Sequence, residues 1–339
     1  MNVLDAYLED LYEAHKTGHL LNQSMEFAER AYLLKQTLQQ KLGDFPDLGG
    51  PLEASVLERH ECGEYARELV EYRTDRNLRI RTYVLIPADL SGPAPAVLAC
   101  HGHGYGHNEA VGLNEDGSSE SDRPSGHKHF ALQLVRQGFV VFVPELAGFG
   151  QRRLDRDRVK GPREANSCFA LSAHLLMYGK TLAGLRVFEA RRTLDYLFTR
   201  SEVDTERIGI MGFSGGGMVA AFTAALDERV RAAVICGYTS TFLGSILRTN
   251  HCIDNYVPGL LTAAEMPELI GLIAPRPLLI DSGSHDPLFP RDHVHMAKHV
   301  LEEIYTEQSA MDRLDFHLFD GVHEIGDGMP YAWLKEKLT

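Results

Sequence analysis

From Ala94 onward the chain alternates short apolar runs with longer helix-patterned segments, and that rhythm leaves few folds open. APAVLACHG reads as a buried strand, HFALQLVRQG as a helix closed by glycine, and FVVFVPE as a second strand. Residues 181–200, TLAGLRVFEARRTLDYLFTR, form an amphipathic helix; the strand ERIGIMGF and a helix starting at Gly215 follow. VRAAVICGY, RPLLIDSGSHD and LDFHLFDG supply further strands. Strands separated by helices of this length cannot pair as hairpins. Each crossover returns the chain to a parallel neighbour, so the pattern predicts an α/β fold with a mostly parallel, twisted sheet covered by helices on both faces.

The N-terminal part has other periods. Val3, Leu4, Tyr7, Leu8 and Leu11 fall at helix spacing, as do Met25, Phe27, Ala28, Ala31, Leu34 and Leu38, until Gly43 and Pro46 end the pattern. From Glu64 apolar and polar residues alternate, which predicts an antiparallel strand pair joined near Asp75, Arg76 and Asn77 at the N-terminal edge of the sheet. The chain therefore divides into an N-terminal helical extension, residues 1–60, and an α/β domain, residues 61–339. Two long irregular stretches, 104–128 and 238–266, are of the size that usually carries function, and the first is a candidate lid.

Composition narrows the partners. Lys and Arg number 34 against 47 Asp and Glu, a net charge of −13, which argues against nucleic acid and anionic membranes. No run of apolar residues is long enough to span a bilayer, and the acidic, amphipathic start MNVLDAYLEDLYEAH is unlike a signal peptide. Cys62, Cys100, Cys168, Cys236 and Cys252 are scattered and never form a C-x-x-C pair, as expected of reduced thiols in a cytoplasmic protein.

The chemistry concentrates in IGIMGFSGGGMVAAF, where one serine sits among glycines between a strand and a helix. Glycine suits neither element, so Gly212-Phe213-Ser214-Gly215-Gly216 must serve a turn too tight for side chains, a G-x-S-x-G nucleophile elbow presenting Ser214. A serine hydroxyl needs a base. His323, in FHLFDGVHEIG, follows a strand near the C-terminus, and Asp286, in LLIDSGSHDPLFP, follows the preceding one. The order Ser214, Asp286, His323 puts all three at strand ends on one sheet edge, where they can converge as nucleophile, acid and base. Asp281, Asp320 and Glu145 compete for the acid position, with Glu145 the strongest rival.

The loop HGHGYGH, residues 101–107, follows the strand PAVLAC. Its glycines suit backbone donation, so the N–H groups of His103 and Gly215 are the expected oxyanion donors. No zinc-like ligand spacing accompanies these histidines, and no metal or cofactor is expected. His295 and His299 lie one helical turn apart, on what reads as a solvated helix face.

Taken in order, HGHG, PELAGFGQRR, GFSGGG, SHDPLFP and GVHEIG resemble the α/β-hydrolase superfamily, and within it the dienelactone-hydrolase-like and acetyl-xylan-esterase-like bacterial esterases. The resemblance spans roughly residues 65–335. It implies an α/β-hydrolase fold and a serine esterase acting on a small-molecule ester through an acyl-enzyme, with short acyl groups and acetylated carbohydrate as candidate substrates. Dienelactone hydrolases use cysteine where this chain has Ser214, which speaks against a lactone substrate. Phe242, Tyr256 and Leu260, between two sheet strands, are candidate walls of the acyl pocket, and the N-terminal helices are a candidate surface for self-association. Two other readings remain: a serine peptidase of the prolyl-oligopeptidase type, for which the accessory propeller has no room, and a non-catalytic binding protein on the same fold.

Overall fold

The computed structural model describes residues 3–16, 25–46, 50–119, 125–158 and 166–339. Its centre is a nine-stranded sheet ordered β1-β2-β3-β5-β4-β6-β7-β8-β9. The strands are β1 (Ser55–Glu61), β2 (Tyr65–Asp75), β3 (Leu78–Pro87), β4 (Ala94–Cys100), β5 (Val140–Pro144), β6 (Val203–Phe213), β7 (Ala232–Cys236), β8 (Leu278–Gly283) and β9 (Leu314–Phe319). From β5 through β9 every pairing is parallel, and β1, β2 and β3 add an antiparallel edge.

Burial explains why the strands read as they do. β4, β5 and β7 are buried at every position, so they had to be continuous apolar runs. β2 alternates half-buried and buried residues, the signature of a sheet edge with one wet face. On one face the helices Leu182–Leu197 and Gly215–Leu226 pack Val187, Leu194, Val219 and Phe222 into the larger core. On the other, the helices Phe130–Arg136 and Met329–Leu338 contribute Phe130, Leu134, Trp333 and Leu334.

Two differences from the sequence reading are physical. β1 was not foreseen, and it begins at Ser55, so the sheet starts within the segment assigned to the helical extension. SVLERHE is exposed along its whole length. An edge strand needs one pairing neighbour and no buried face, so it carries no periodic apolar signal. The stretch 238–266 is also less irregular than expected: it folds as short 3₁₀ turns and a helix start, with Tyr238, Phe242, Leu260 and Ala264 packed into the core.

Toward the N-terminus two helices are described, Val3–Lys16 and Phe27–Leu42; residues 17–24 lie outside the described residues. The second buries Phe27, Ala31, Leu34 and Leu38 as the periodicity predicts, and Leu42 beyond them, whereas Ala28 of the same set and Val3, Leu4, Tyr7, Leu8 and Leu11 stay exposed. The candidate lid contains the short helix His107–Ala110, and its residues 120–124 lie outside the described residues. No helix among the described residues is long and apolar enough to cross a membrane.

Candidate active site

Parallel strands end on one edge of the sheet, and there the loops after β6, β8 and β9 meet. Ser214 caps the helix Gly215–Leu226 with φ 55° and ψ −122°, a left-handed conformation that a side-chain-bearing residue adopts only when its surroundings force it. The force comes from close packing. A Cβ on Gly212 would overlap the carbonyl of Gly216, and one on Gly216 would overlap the carbonyls of Cys100 and His101. Ser214 N–H donates to Cys236 O at 2.8 Å, tying the turn to β7.

Ser214 Oγ lies 2.9 Å from His323 Nε2, and His323 Nδ1 lies 2.6 Å from Asp286 Oδ2. A carboxylate only accepts, so Nδ1 carries the proton and Nε2 is free to accept from the serine hydroxyl. Asp286 is buried, and its other oxygen accepts the N–H groups of Leu288 at 2.8 Å and Phe289 at 3.2 Å. Those bonds fix the carboxylate's orientation. The imidazole ring packs against Phe213, 4.9 Å away, and Phe289, 5.8 Å away and nearly parallel to it at 15°.

The rival acids are engaged elsewhere. Asp281 accepts from His317 at 2.7 Å and from the N–H of Gly326 at 2.8 Å. Asp320 contacts the exposed His285 at 3.0 Å. Glu145 is buried beyond the His101–His107 loop, 3.6 Å from His107 Nε2, and accepts the N–H of Gln151. Burial pushes its carboxyl up to about 7 and pushes the His107 imidazole down to about 3, so near neutral pH the two are not an ion pair.

In HGHGYGH two of the three histidines have structural tasks. His101 Nε2 accepts the N–H of Leu146 at 3.0 Å while Nδ1 donates to Gly102 O at 2.8 Å, and burial holds its pKa well below the usual imidazole value. His107 bonds Val143 O and packs on Tyr83. His103 alone reaches the cleft, its ring over Gly215 and edge-on to Phe149. Outside the motif, His127 accepts the N–H of Gly102 at 2.9 Å, a support that sequence reading missed. Among the described residues, the N–H groups of His103 and Gly215 donate to no protein acceptor. Burial works against a charged His103, but the Asp254 carboxylate outweighs it and lifts the imidazole to about 9.

Beside Ser214 lies a cavity of about 110 Å³ bounded by His103, Gly215, His251, Cys252, Asn255 and Phe289. This corrects the expected pocket walls. Phe242 and Leu260 are buried in the main core, and Tyr256 is exposed with its hydroxyl donating to Ile246 O. The largest apolar residues of that segment pack inward; the cleft takes the smaller, more polar ones between them. Sequence reading also missed the residues behind the cleft wall. Asp254 is fully buried against Arg186 Nη1 at 2.5 Å; against the cost of burial, the His103 imidazolium and then this guanidinium hold its carboxyl well below the ordinary range. His295 and His299 meet Arg291 and Glu303 on an exposed helix face, as expected.

Against known proteins, residues 80–323 match the family model described as Dienelactone hydrolase family. YtaP of Bacillus subtilis (strain 168), provisionally named a hydrolase, is 31% identical over 283 residues, which cover 82% of this chain and 89% of that protein. The chain belongs to the dienelactone hydrolase family. A lactone is a cyclic carboxylic ester, and the chain is accordingly a carboxylic ester hydrolase. Among solved structures, a Bacteroides fragilis NCTC 9343 protein provisionally named an acetyl xylan esterase superposes with TM-score 0.72 at 17% identity, over 87% of this chain and 77% of that one. A glucuronoyl esterase from Solibacter usitatus superposes with TM-score 0.66 at 16% identity, over 90% of each chain. Identities that low speak for a shared α/β-hydrolase-type fold, which agrees with the resemblance read from the motifs.

Proposed function

We propose that the enzyme hydrolyses carboxylic esters through an acyl-Ser214 intermediate, with His323 as base and then acid and Asp286 as its orienting carboxylate. The observation that carries this reading is the bridge made by His323, 2.9 Å from Ser214 Oγ on one side and 2.6 Å from Asp286 on the other. His323 Nε2 accepts the hydroxyl proton as Oγ attacks the ester carbonyl, and Asp286 stabilises the imidazolium that forms. The developing oxyanion is received by the N–H groups of His103 and Gly215, which have no acceptor among the described residues. His323 then returns its proton to the leaving alkoxide, and a water molecule repeats the sequence to free the acid.

A cleft of about 110 Å³ supports a short acyl group, and its lining sets the apolar Phe289 and Cys252 beside the polar His251 and Asn255. Relatives of similar fold carry the names acetyl xylan esterase and glucuronoyl esterase, which favours an ester of a carbohydrate as the substrate class. Ser214→Ala tests the assignment. Turnover should fall by on the order of a million-fold with the fold intact; a variant keeping a tenth of the wild-type rate excludes Ser214 as nucleophile.

A further inference from the structure

Behind the wall of the Ser214 cleft, one side chain from the loop after β4, one from the start of the helix Cys168–Leu176 and two from the turn at 252–255 converge. Donor atoms of His103, Cys168, Cys252 and Asp254 all lie within 4.8 Å of one another. We propose that these four side chains form a binding site for a thiophilic divalent cation of the zinc class, adjoining the Ser214 cleft.

The donor set is the first support. Two sulfurs, one imidazole and one carboxylate make the four-ligand complement that zinc takes, and sulfur excludes the hard cations magnesium and calcium. Geometry is the second. Ligands at about 2.0–2.3 Å from a tetrahedral ion stand about 3.3–3.8 Å apart. His103 Nε2 and Asp254 Oδ2 are already 3.3 Å apart, and every other donor pair needs to close by no more than about 1.5 Å. The third support is an orphan. His103 Nε2 is buried and makes no directed hydrogen bond among the described residues; its 3.3 Å approach to Asp254 Oδ2 is an ion pair without hydrogen-bond geometry. A buried imidazole nitrogen normally has a partner, and an ion among these donors would supply it.

Arg186 is the apparent objection, because its guanidinium touches Asp254 at 2.5 Å and Cys168 Sγ at 3.2 Å. Charge counting turns it into support. On binding, both thiols and the His103 imidazolium release their protons to solvent; two thiolates, one carboxylate, one neutral imidazole, one guanidinium and a divalent ion then sum to zero. Arg186 also donates to Ala147 O, so it is held in place and serves as an outer donor that orients two of the ligands. Cys252 and His103 face the cleft as well, which gives an ion an entry path from solvent.

The test is a titration of the full chain with Co²⁺ under a phosphine reductant, read as the visible bands of tetrahedral thiolate coordination. The proposal expects saturation at one equivalent per chain, displacement by Zn²⁺, and weakening by at least about a hundredfold in Cys168→Ser and in Cys252→Ser, since even outer-shell partners cost 10–100-fold. Alkylation of Cys168 and Cys252 in the wild type, mapped by peptide mass spectrometry, should slow on the order of tenfold with Zn²⁺ and recover with EDTA, which keeps the test open should a serine variant fail to fold. Absence of thiolate bands in folded wild type overturns the proposal. So does binding that survives intact in both serine variants, or alkylation of the two cysteines that Zn²⁺ leaves unchanged.

Discussion

Replacing Glu145 with glutamine separates the pH dependence of stability from that of catalysis. The carboxyl is buried, and burial lifts its pKa from 4.5 to about 7. A raised pKa on an acid means that the folded state prefers the neutral form. Its stabilising contribution is complete below the unfolded value of 4.5 and is lost as pH rises through the folded value near 7. From those two values the cost of ionising Glu145 in the fold is under 1 kcal/mol at about pH 5 and about 3 kcal/mol at about pH 8. His107 beside it is pushed down to about 3 and destabilises in the opposite sense as pH falls, so wild-type stability alone mixes the two. The difference between Glu145→Gln and wild type cancels every group the two share. Glutamine keeps the shape, its oxygen can accept from Gln151, and its amide can donate to His107 Nε2. Urea unfolding followed by circular dichroism should therefore find the variant nearly equal to wild type at pH 5 and more stable by about 2–3 kcal/mol at pH 8. A difference that does not grow with pH, or a variant less stable at pH 8, refutes the reasoning.

Asp286→Asn, compared with Glu145→Gln under identical conditions, should keep the fold but lose kcat by on the order of ten-thousand-fold, the scale known for the same change in a serine protease; Glu145→Gln should stay within a few-fold of wild type, and the reverse ranking would move the acid to Glu145. Across p-nitrophenyl esters, acetyl and butyryl should exceed decanoyl in kcat/KM by at least about tenfold, or roughly 1.4 kcal/mol, because the cleft is small; a maximum at decanoyl excludes the short-acyl reading. Gly216→Ala should destabilise by on the order of 3 kcal/mol, since the new methyl meets the carbonyls of Cys100 and His101, measured by the same urea unfolding; a variant as stable as wild type contradicts the packing account of the elbow.

The parallel sheet and its order of strands and helices were legible because β4, β5 and β7 are buried throughout, and burial on both faces writes itself as continuous apolar runs. The elbow was legible for a related reason: only glycine fits where the Gly212 and Gly216 backbones meet their neighbours, so the constraint appears as composition. His323 and Asp286 could be placed because strand ends converge by topology. The cleft wall could not. His251, Asn255 and Phe289 reach Ser214 through turns whose shape no periodicity encodes, while position between two sheet strands directed the reading to Phe242 and Leu260, which pack into the core. His103, Cys168, Cys252 and Asp254 come from three separate segments, so no local spacing announces them. β1 escaped because an exposed edge strand leaves no apolar trace.

The central claim is that one serine is made nucleophilic by its place between the elbow and His323. An organophosphonate ester probe, incubated with the full chain and followed by peptide mass spectrometry, reads this directly. The account predicts one adduct, on Ser214, forming in step with loss of esterase activity and strongly slowed in Asp286→Asn. An adduct on any other residue, or full inactivation with Ser214 unmodified, contradicts it.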